Sequence, residues 1–267
     1  MEVHHHPHTP RKKWTHYFWE FLMLFFAVTL GFFVENQREH YIEHGRAKEL
    51  AGSFYEEMRS DSANLTKMIQ NRKDKESHLR YLSKYFKDSS LYKLSGAFYY
   101  RFTWGVFQTS YIAFEPKDGI LQQLRNSGSL RYFRNIEIQK AVGDFSVALN
   151  NLRTRLEREA NLFIGKNRDF LLKHYDFSWI MAMAYDNDVL PIEALKKYEA
   201  DQQSVTAVIR GLDKLDRIET VNHLDYYRAV LSSTRLGQML QYQKASNHLV
   251  QLLRKEYHLS ERIPLEK

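Results

Sequence analysis

The chain has 267 residues, 43% hydrophobic and 27% charged, a balance typical of folded proteins and too apolar for a disordered one. It contains no Cys, which excludes disulfides, thiolate nucleophiles and cysteine-based metal centres. The formal net charge of +7 comes from scattered Lys and Arg without a nucleic-acid-binding motif, so no nucleic-acid partner is expected.

Residues 14–34 predict a transmembrane helix. Residues 21–34 contain no charged side chain, and residues 14–20 extend this stretch to the ~20 residues that a membrane-spanning helix needs. Trp14 and Trp19 lie where an interfacial aromatic belt is expected. Because Glu35 follows the apolar run directly, without the small residues of a cleavage site, the segment is predicted to remain as an anchor in the lipid bilayer.

Glu20 and Gly31 lie near opposite ends of this anchor. An ionisable side chain inside a span is costly, so Glu20 is expected to reach the head groups or to meet a neighbouring helix, with a proton path as the alternative. Together with an interrupted apolar seam in the helix that follows, these residues predict a homo-oligomer held by the anchor and by a juxtamembrane stalk helix at residues 35–50.

The orientation of the anchor depends on the basic residues that flank it. Equal numbers of Lys and Arg precede and closely follow the span: Arg11, Lys12 and Lys13, then Arg38, Arg46 and Lys48. The first group is clustered at the membrane edge on a short tail, which favours a cytoplasmic tail at residues 1–13. The expected location is therefore the bacterial inner membrane, with the C-terminal domain in the periplasm. The His-rich run at residues 4–8 is interpreted as part of a disordered tail.

A spacing of three and four residues continues from residue 51 to residue 86 and predicts a long bundle helix that continues from the anchor. The positions are Ala51, Phe54, Met58, Asp61, Leu65, Met68, Arg72, Lys75, Leu79, Leu82 and Phe86. Asp61, Arg72 and Lys75 are poorly suited to a tight dimer core, so we expect them to pair across chains or to face water.

Residues 40–44 read His-Tyr-Ile-Glu-His, the spacing of inverted zinc metalloproteases. His40 and His44 would share a helix face, and Glu43 would serve as general base. A zinc-dependent hydrolase is therefore the enzymatic alternative. Because no third ligand is evident and the pattern follows the span directly, we interpret it as a solvated juxtamembrane helix, and we expect no catalytic residue, metal or cofactor.

Residues 89–116 are rich in aromatic side chains and fit either short helices or a hairpin centred on Trp104 and Gly105. Packing between helices is the primary interpretation of these aromatics. The alternative is a ligand pocket or a partner surface that includes Trp104, Phe107 and Tyr111.

The rest of the chain predicts further helices. A short helix at residues 117–127 is expected to end at Gly128 with a left-handed backbone, and Asn135 is expected to cap a second long helix that reaches about residue 175, with a weak point at Gly165. That helix carries Ile138, Val142, Phe145, Leu149, Leu152 and Leu156 at regular spacing. Asp186 and Asp188 mark a turn, short helices follow at residues 192–217, and a last long helix covers residues 219–258. The fold class is therefore all-α, with residues 51–267 forming a helical bundle of antiparallel neighbours.

Two segments resemble an uncharacterised family of single-pass membrane proteins common in Bacteroidota. The anchor and its exit place Glu20, Asn36 and Glu39 on the family's Glu, Asn and Glu positions, although Trp19 stands where the family has Gly. A second stretch matches the family's Leu-x-x-Ser-Gly-x-Leu … Asn-x-x-Leu/Ile signature, here Leu124, Ser127, Gly128, Leu130, Asn135 and Ile138. The resemblance implies a membrane-anchored helical protein without an assigned activity.

Nucleotide-binding and hydrolase motifs with their characteristic glycines are absent from the sequence. The expected function is that of a non-enzymatic, membrane-anchored protein that senses, scaffolds or binds an envelope protein partner. Besides the zinc hydrolase, a subunit of a larger envelope complex or channel is an alternative, and Glu20 would then be central.

Overall fold

The computed structural model describes residues 13–204, 211 and 214–260. The predicted features of the N-terminal tail, namely Arg11, Lys12 and the His-rich run at residues 4–8, lie outside the described residues. The chain divides into two compact units, Met1–Leu50 and Ala51–Lys267. The described residues form helices and turns with one isolated β-bridge between Ser95 and Ser204, so the predicted all-α class is confirmed.

The described α-helices include long and short elements. In chain order they are α1 (Trp14–Asp88), α2 (Gly96–Phe102), α3 (Gly119–Asn126), α4 (Ile136–Leu162), α5 (Arg168–His174), α6 (Phe177–Met183), α7 (Pro191–Leu195), α8 (Arg217–Thr234) and α9 (Leu240–Tyr257). Wider π-helical turns lie at Thr103–Phe107, Phe163–Asn167 and Arg235–Met239, and we refer to them as the first, second and third π-helical turns.

The face of α1 that the sequence predicts to point into a core is buried within the Ala51–Lys267 unit. Every register position from residue 51 to residue 86 is buried. This includes Asp61, Arg72 and Lys75, which are at most 2% exposed. The prediction that these three residues pair across chains or face water is therefore wrong, because their partners lie inside the same chain.

The helices α1 and α4 run in the same direction. The rings of Phe54 and Phe145 have their centroids 5.7 Å apart. Further along both helices, Arg72 contacts Glu159 at 2.8 Å. The residue numbers therefore rise together along the pair, which differs from the antiparallel arrangement expected for consecutive long helices.

The segment formed by α8 and α9 runs antiparallel to α1. The hydroxyl of Tyr242 donates to Asp61 near the start of the buried face of α1. Arg235 lies earlier in the chain and contacts Glu76, further along α1. The predicted antiparallel packing therefore holds for the last long helical segment, which the third π-helical turn divides in two.

The parallel pair arises because residues 96–120 return along α1 towards the start of its buried face. The carbonyl of Trp104 accepts a hydrogen bond from Lys75 at 3.0 Å. The later Lys117 backbone N–H reaches the earlier Asp61 carboxylate at 2.7 Å. This returning segment consists of short helices, so the alternative of a hairpin at residues 89–116 is wrong.

The ends of the middle helices follow local sequence signals. Asn135 caps α4, since its side-chain oxygen accepts a hydrogen bond from the Glu137 N–H at 2.9 Å. Gly128 has a φ of 66°, a left-handed backbone that glycine adopts without a steric penalty. The predicted weak point at Gly165 lies in the second π-helical turn, which ends α4 at Leu162. The helix predicted at residues 117–127 is slightly shorter and corresponds to α3.

Candidate functional site

The predicted anchor segment is exposed along its whole length. Residues 14–34 are exposed in the structure apart from Leu22, which is intermediate. Among the described residues, α1 is one helix that is long and apolar enough to cross a membrane. Soluble proteins rarely leave such a large contiguous apolar surface in water. The anchor segment therefore fits a lipid environment, with Trp14 and Trp19 at one of its ends.

Glu20 has a contact on its own helix. His16 Nε2 lies 3.0 Å from Glu20 Oε1, one helical turn earlier. A Cβ atom added at Gly31 would meet no atom within 4 Å, so this side of the helix is open. Glu20 thus has a polar neighbour within the anchor, and Gly31 leaves a flat surface against which another helix can pack.

The residues of the predicted zinc motif are not part of a metal centre in the described structure. His40 and His44 are exposed on α1, and Glu43 is half-buried. In the described part of the chain, no group of three or more His, Asp or Glu side chains is arranged to hold a metal ion. A catalytic zinc site takes about three protein ligands, so this geometry offers the hydrolase alternative no support.

The predicted partner surface is largely part of the core. Trp104 is 8% exposed and belongs to the main hydrophobic cluster of the bundle. Phe107 and Tyr111 are partly buried and pack against the same cluster. The primary interpretation, packing between helices, therefore holds for Trp104, whose ring the returning segment places beside Lys75 of α1, and the alternative of a partner surface does not hold for this residue.

A buried cluster of charged side chains crosses the middle of the bundle. Arg72 donates two hydrogen bonds to the carboxylate of Glu159, at 3.0 and 2.8 Å. It also donates to the carbonyl of Ile112 at 3.3 Å. This bidentate pair joins α1 to α4 and fixes the register of the two helices, since a slip along either axis would leave a buried charge without its partner.

A second ion pair joins the same part of α1 to the third π-helical turn. Arg235 donates two hydrogen bonds of 2.8 Å to the carboxylate of Glu76. Burial raises the pKa of Glu76, but the hydrogen bonds and the positive charge of Arg235 outweigh this and leave it lowered. With both pairs ionised, the two positive and two negative charges balance.

Lys75 lies inside this balanced cluster and is fully buried. Its Nζ donates to the carbonyls of Trp104 at 3.0 Å and Gln108 at 2.5 Å. Burial lowers the pKa of Lys75 to about 7, with the Arg72 charge acting in the same direction and Glu159 opposing it. A neutral amine has two N–H groups, which is enough for both carbonyls.

A cleft opens beside Gln108. It has a volume of about 360 Å³ and is lined by residues of the first and second π-helical turns together with α5 and α6. Gln108 is 6% exposed, and its side-chain Nε2 has no hydrogen-bond partner. Turns of π-helix are uncommon and often occur at functional sites, and two of them meet at this cleft.

A separate cleft between the end of the buried face of α1 and the start of α8 is basic. Its volume is about 500 Å³, and its charged lining residues are Arg80, Lys84, Lys87, Asp88, Arg217, Asp225 and Arg228. Arg217 is held by the carbonyls of Phe86 and Ser89. The excess of positive charge makes this surface attractive to anions.

Two residues central to these sites were missed by the sequence reasoning. Glu159 follows Leu156 by three residues and so continues the apolar register of α4, a signal that marks it as inward-facing. Gln108 carries no such signal, because the aromatic segment around it has no helical period.

Comparison of the chain with protein-family models, with curated proteins and with solved structures found no match.

Proposed function

We propose that this protein is a non-enzymatic helical protein of the bacterial inner membrane that binds a ligand or an envelope protein partner through its Ala51–Lys267 unit. The observation that carries the proposal is the exposed apolar surface of residues 14–34, which is long enough to cross a bilayer. The resemblance to single-pass membrane proteins supports the anchored helical architecture. The two clefts, each of a size suited to small ligands, support ligand binding.

In the proposed topology the N-terminus is cytoplasmic and the Ala51–Lys267 unit is periplasmic, where it senses or scaffolds. A reporter that is active only in the periplasm, fused after Lys267, should be active, whereas a cytoplasmic reporter at the same position should not. After alkaline extraction the full-length protein should remain in the membrane pellet. Activity of only the cytoplasmic reporter would reverse the topology, and release by alkali would contradict the anchor.

A homo-oligomer held by residues 14–50 is the second part of the proposal. The polar seam residues Asp61, Arg72 and Lys75 have partners within their own chain, so the buried face of α1 is not available for a second copy. The exposed anchor with Gly31 and the stalk with Tyr41, which is 83% exposed, are surfaces open to self-association.

Light scattering of the full-length protein in a mild non-ionic detergent should give more than one chain per particle. A variant that begins at residue 47 should remain helical and be monomeric. A full-length monomer would contradict the oligomer but not the anchor.

Metal analysis of the same sample tests the hydrolase alternative, for which stoichiometric zinc would have to disappear when His40 and His44 are both replaced by Ala.

A further inference from the structure

The cleft beside Gln108 has the features of a built binding site for a small molecule. Its volume of about 360 Å³ lies at the lower end of the range of ~300–1,000 Å³ found for small-ligand sites. Four aromatic rings line it, those of Phe107, Phe163, Phe177 and Tyr185. Such walls favour a ligand with a planar or apolar body, because aromatic side chains give large contact areas.

Gln108 supplies an unused polar group in this apolar setting. Its backbone N–H donates to Thr103 at 2.9 Å, and its carbonyl accepts from Lys75 at 2.5 Å. These two bonds fix the residue in the cleft wall, yet the side-chain Nε2 is buried and has no partner. A buried donor without an acceptor destabilises a protein, so a turn of the Gln108 side chain that brings Nε2 to the cleft surface, where a ligand supplies the acceptor, would satisfy it.

The charge of the cleft selects the kind of acceptor. Arg168 lines the rim and is exposed, and its Nε lies 3.8 Å from a carboxylate oxygen of Asp169. None of the lining residues is acidic. The rim therefore favours an anionic acceptor over a neutral one, while the aromatic walls exclude a small, strongly hydrated anion.

We propose that this cleft binds a small aromatic carboxylate, with its ring against the aromatic walls and its carboxylate within the field of Arg168, where a turn of the Gln108 side chain lets Nε2 donate to it. The inference goes beyond the proposed function, since it requires neither the periplasmic topology nor the oligomer. Its test therefore fails or succeeds independently of them.

The test is calorimetric titration of the full-length protein in a non-ionic detergent, with empty micelles as the blank. The probes are phenylacetate, 3-phenylpropionate and indole-3-acetate, with phenylacetamide as the neutral analogue and acetate as the carboxylate without a ring. At least one aromatic carboxylate should bind with a Kd of about 1 mM or tighter, and acetate should not. Failure of all three aromatic carboxylates to bind at this level overturns the proposal.

Variants assign the binding to the cleft. Gln108→Leu should raise the Kd of the tightest carboxylate by roughly tenfold or more, because it removes a hydrogen bond to a charged group. The matched control Gln251→Leu, at an exposed position on α9, should leave the Kd unchanged. Arg168→Gln should weaken the carboxylate more than phenylacetamide. Equal affinities of the Gln108→Leu and Gln251→Leu variants for that carboxylate would overturn the proposal.

The same Leu replacement has a second readout that distinguishes lost binding from lost folding. Since Gln108 Nε2 has no partner in the unliganded protein, Gln108→Leu should keep or raise the melting temperature. A variant that loses binding while it keeps its thermal stability supports a ligand-binding role. If Gln108→Leu instead melts several degrees lower, the amide is structural and the proposal is wrong.

Discussion

Replacing Glu159 by Gln removes the negative charge that compensates Arg72 in the middle of the bundle. Glu159 and Arg72 are 8% and 1% exposed and share two hydrogen bonds. Little water can therefore reach Arg72 to solvate its charge once the carboxylate is gone. Breaking one partner of a buried ion pair typically costs about 3–5 kcal/mol of stability. For a unit of this size, that corresponds to a fall in melting temperature of roughly 6–20 °C.

The matched control is Asp225→Asn, the same change of carboxylate to amide in a pair that water reaches. Asp225 contacts Arg228 at 3.1 Å, and the two side chains are 42% and 34% exposed, respectively. Such pairs contribute about 0–1 kcal/mol, so its melting temperature should fall by no more than roughly 4 °C. Thermal unfolding of full-length variants in the same detergent, followed by circular dichroism, measures both.

The double replacement of Arg72 by Met and Glu159 by Leu completes the comparison. It removes both charges together, and hydrophobic replacement of a buried pair is often neutral or stabilising. We expect it to be less destabilising than Glu159→Gln alone. A Glu159→Gln variant that melts within the range of Asp225→Asn would refute the reasoning, because Arg72 would then have to be solvated or compensated by another group.

Two further predictions concern pH and backbone conformation. Burial lowers the folded-state pKa of Lys75 to about 7 from its ordinary 10.5, so between these values the unfolded chain binds more protons and the stability contributed by this residue rises with pH. The change in stability caused by Lys75→Met should therefore be more favourable at pH 7 than near pH ~9.5, and an equal change at both would contradict the lowered pKa. Gly143→Ala, in α4 where a Cβ meets nothing within 4 Å, should add about 1 kcal/mol in urea unfolding. Gly128→Ala, at a φ of 66°, should instead destabilise by about 1 kcal/mol or more, and matching signs for the two would show that backbone conformation does not decide the effect.

The helices and their inward faces could be predicted because each depends on a local period. Every register position of α1 is buried, and so are those of α4 except Leu156, which is half-buried; Arg72 interrupts the apolar face of α1, and Glu159 continues the face of α4 near its end. Two charged interruptions of apolar faces are a reason to pair the helices at that point. The parallel direction of α1 and α4 was not predictable in the same way, since it depends on the path of residues 96–120. That segment is held by hydrogen bonds to α1 residues that are distant in sequence. Such contacts leave no periodic pattern in the amino-acid sequence.

The cleft beside Gln108 could not be predicted from the sequence for a related reason. Its defining feature is a side-chain amide left without a partner, and only the packed surroundings of Gln108 show that. Phe107 was identified from composition as a ligand-pocket candidate, and it does line the cleft. Trp104, chosen on the same ground, is in the core, because composition does not distinguish the two sides of the returning segment.

The buried charges of α1 also have a consequence for the order in which the chain is made. Their side-chain partners lie 87 residues later for Arg72, 159 for Glu76 and 181 for Asp61. A newly synthesised α1 therefore leaves the ribosome with its charged interruptions unpaired, and water must solvate them until α4 and then α8 and α9 follow. Charged residues within an apolar stripe oppose aggregation of an incomplete chain. The same side chains that later fix the register thus oppose aggregation of the part of α1 after residue 50 while the rest of the bundle is still being translated.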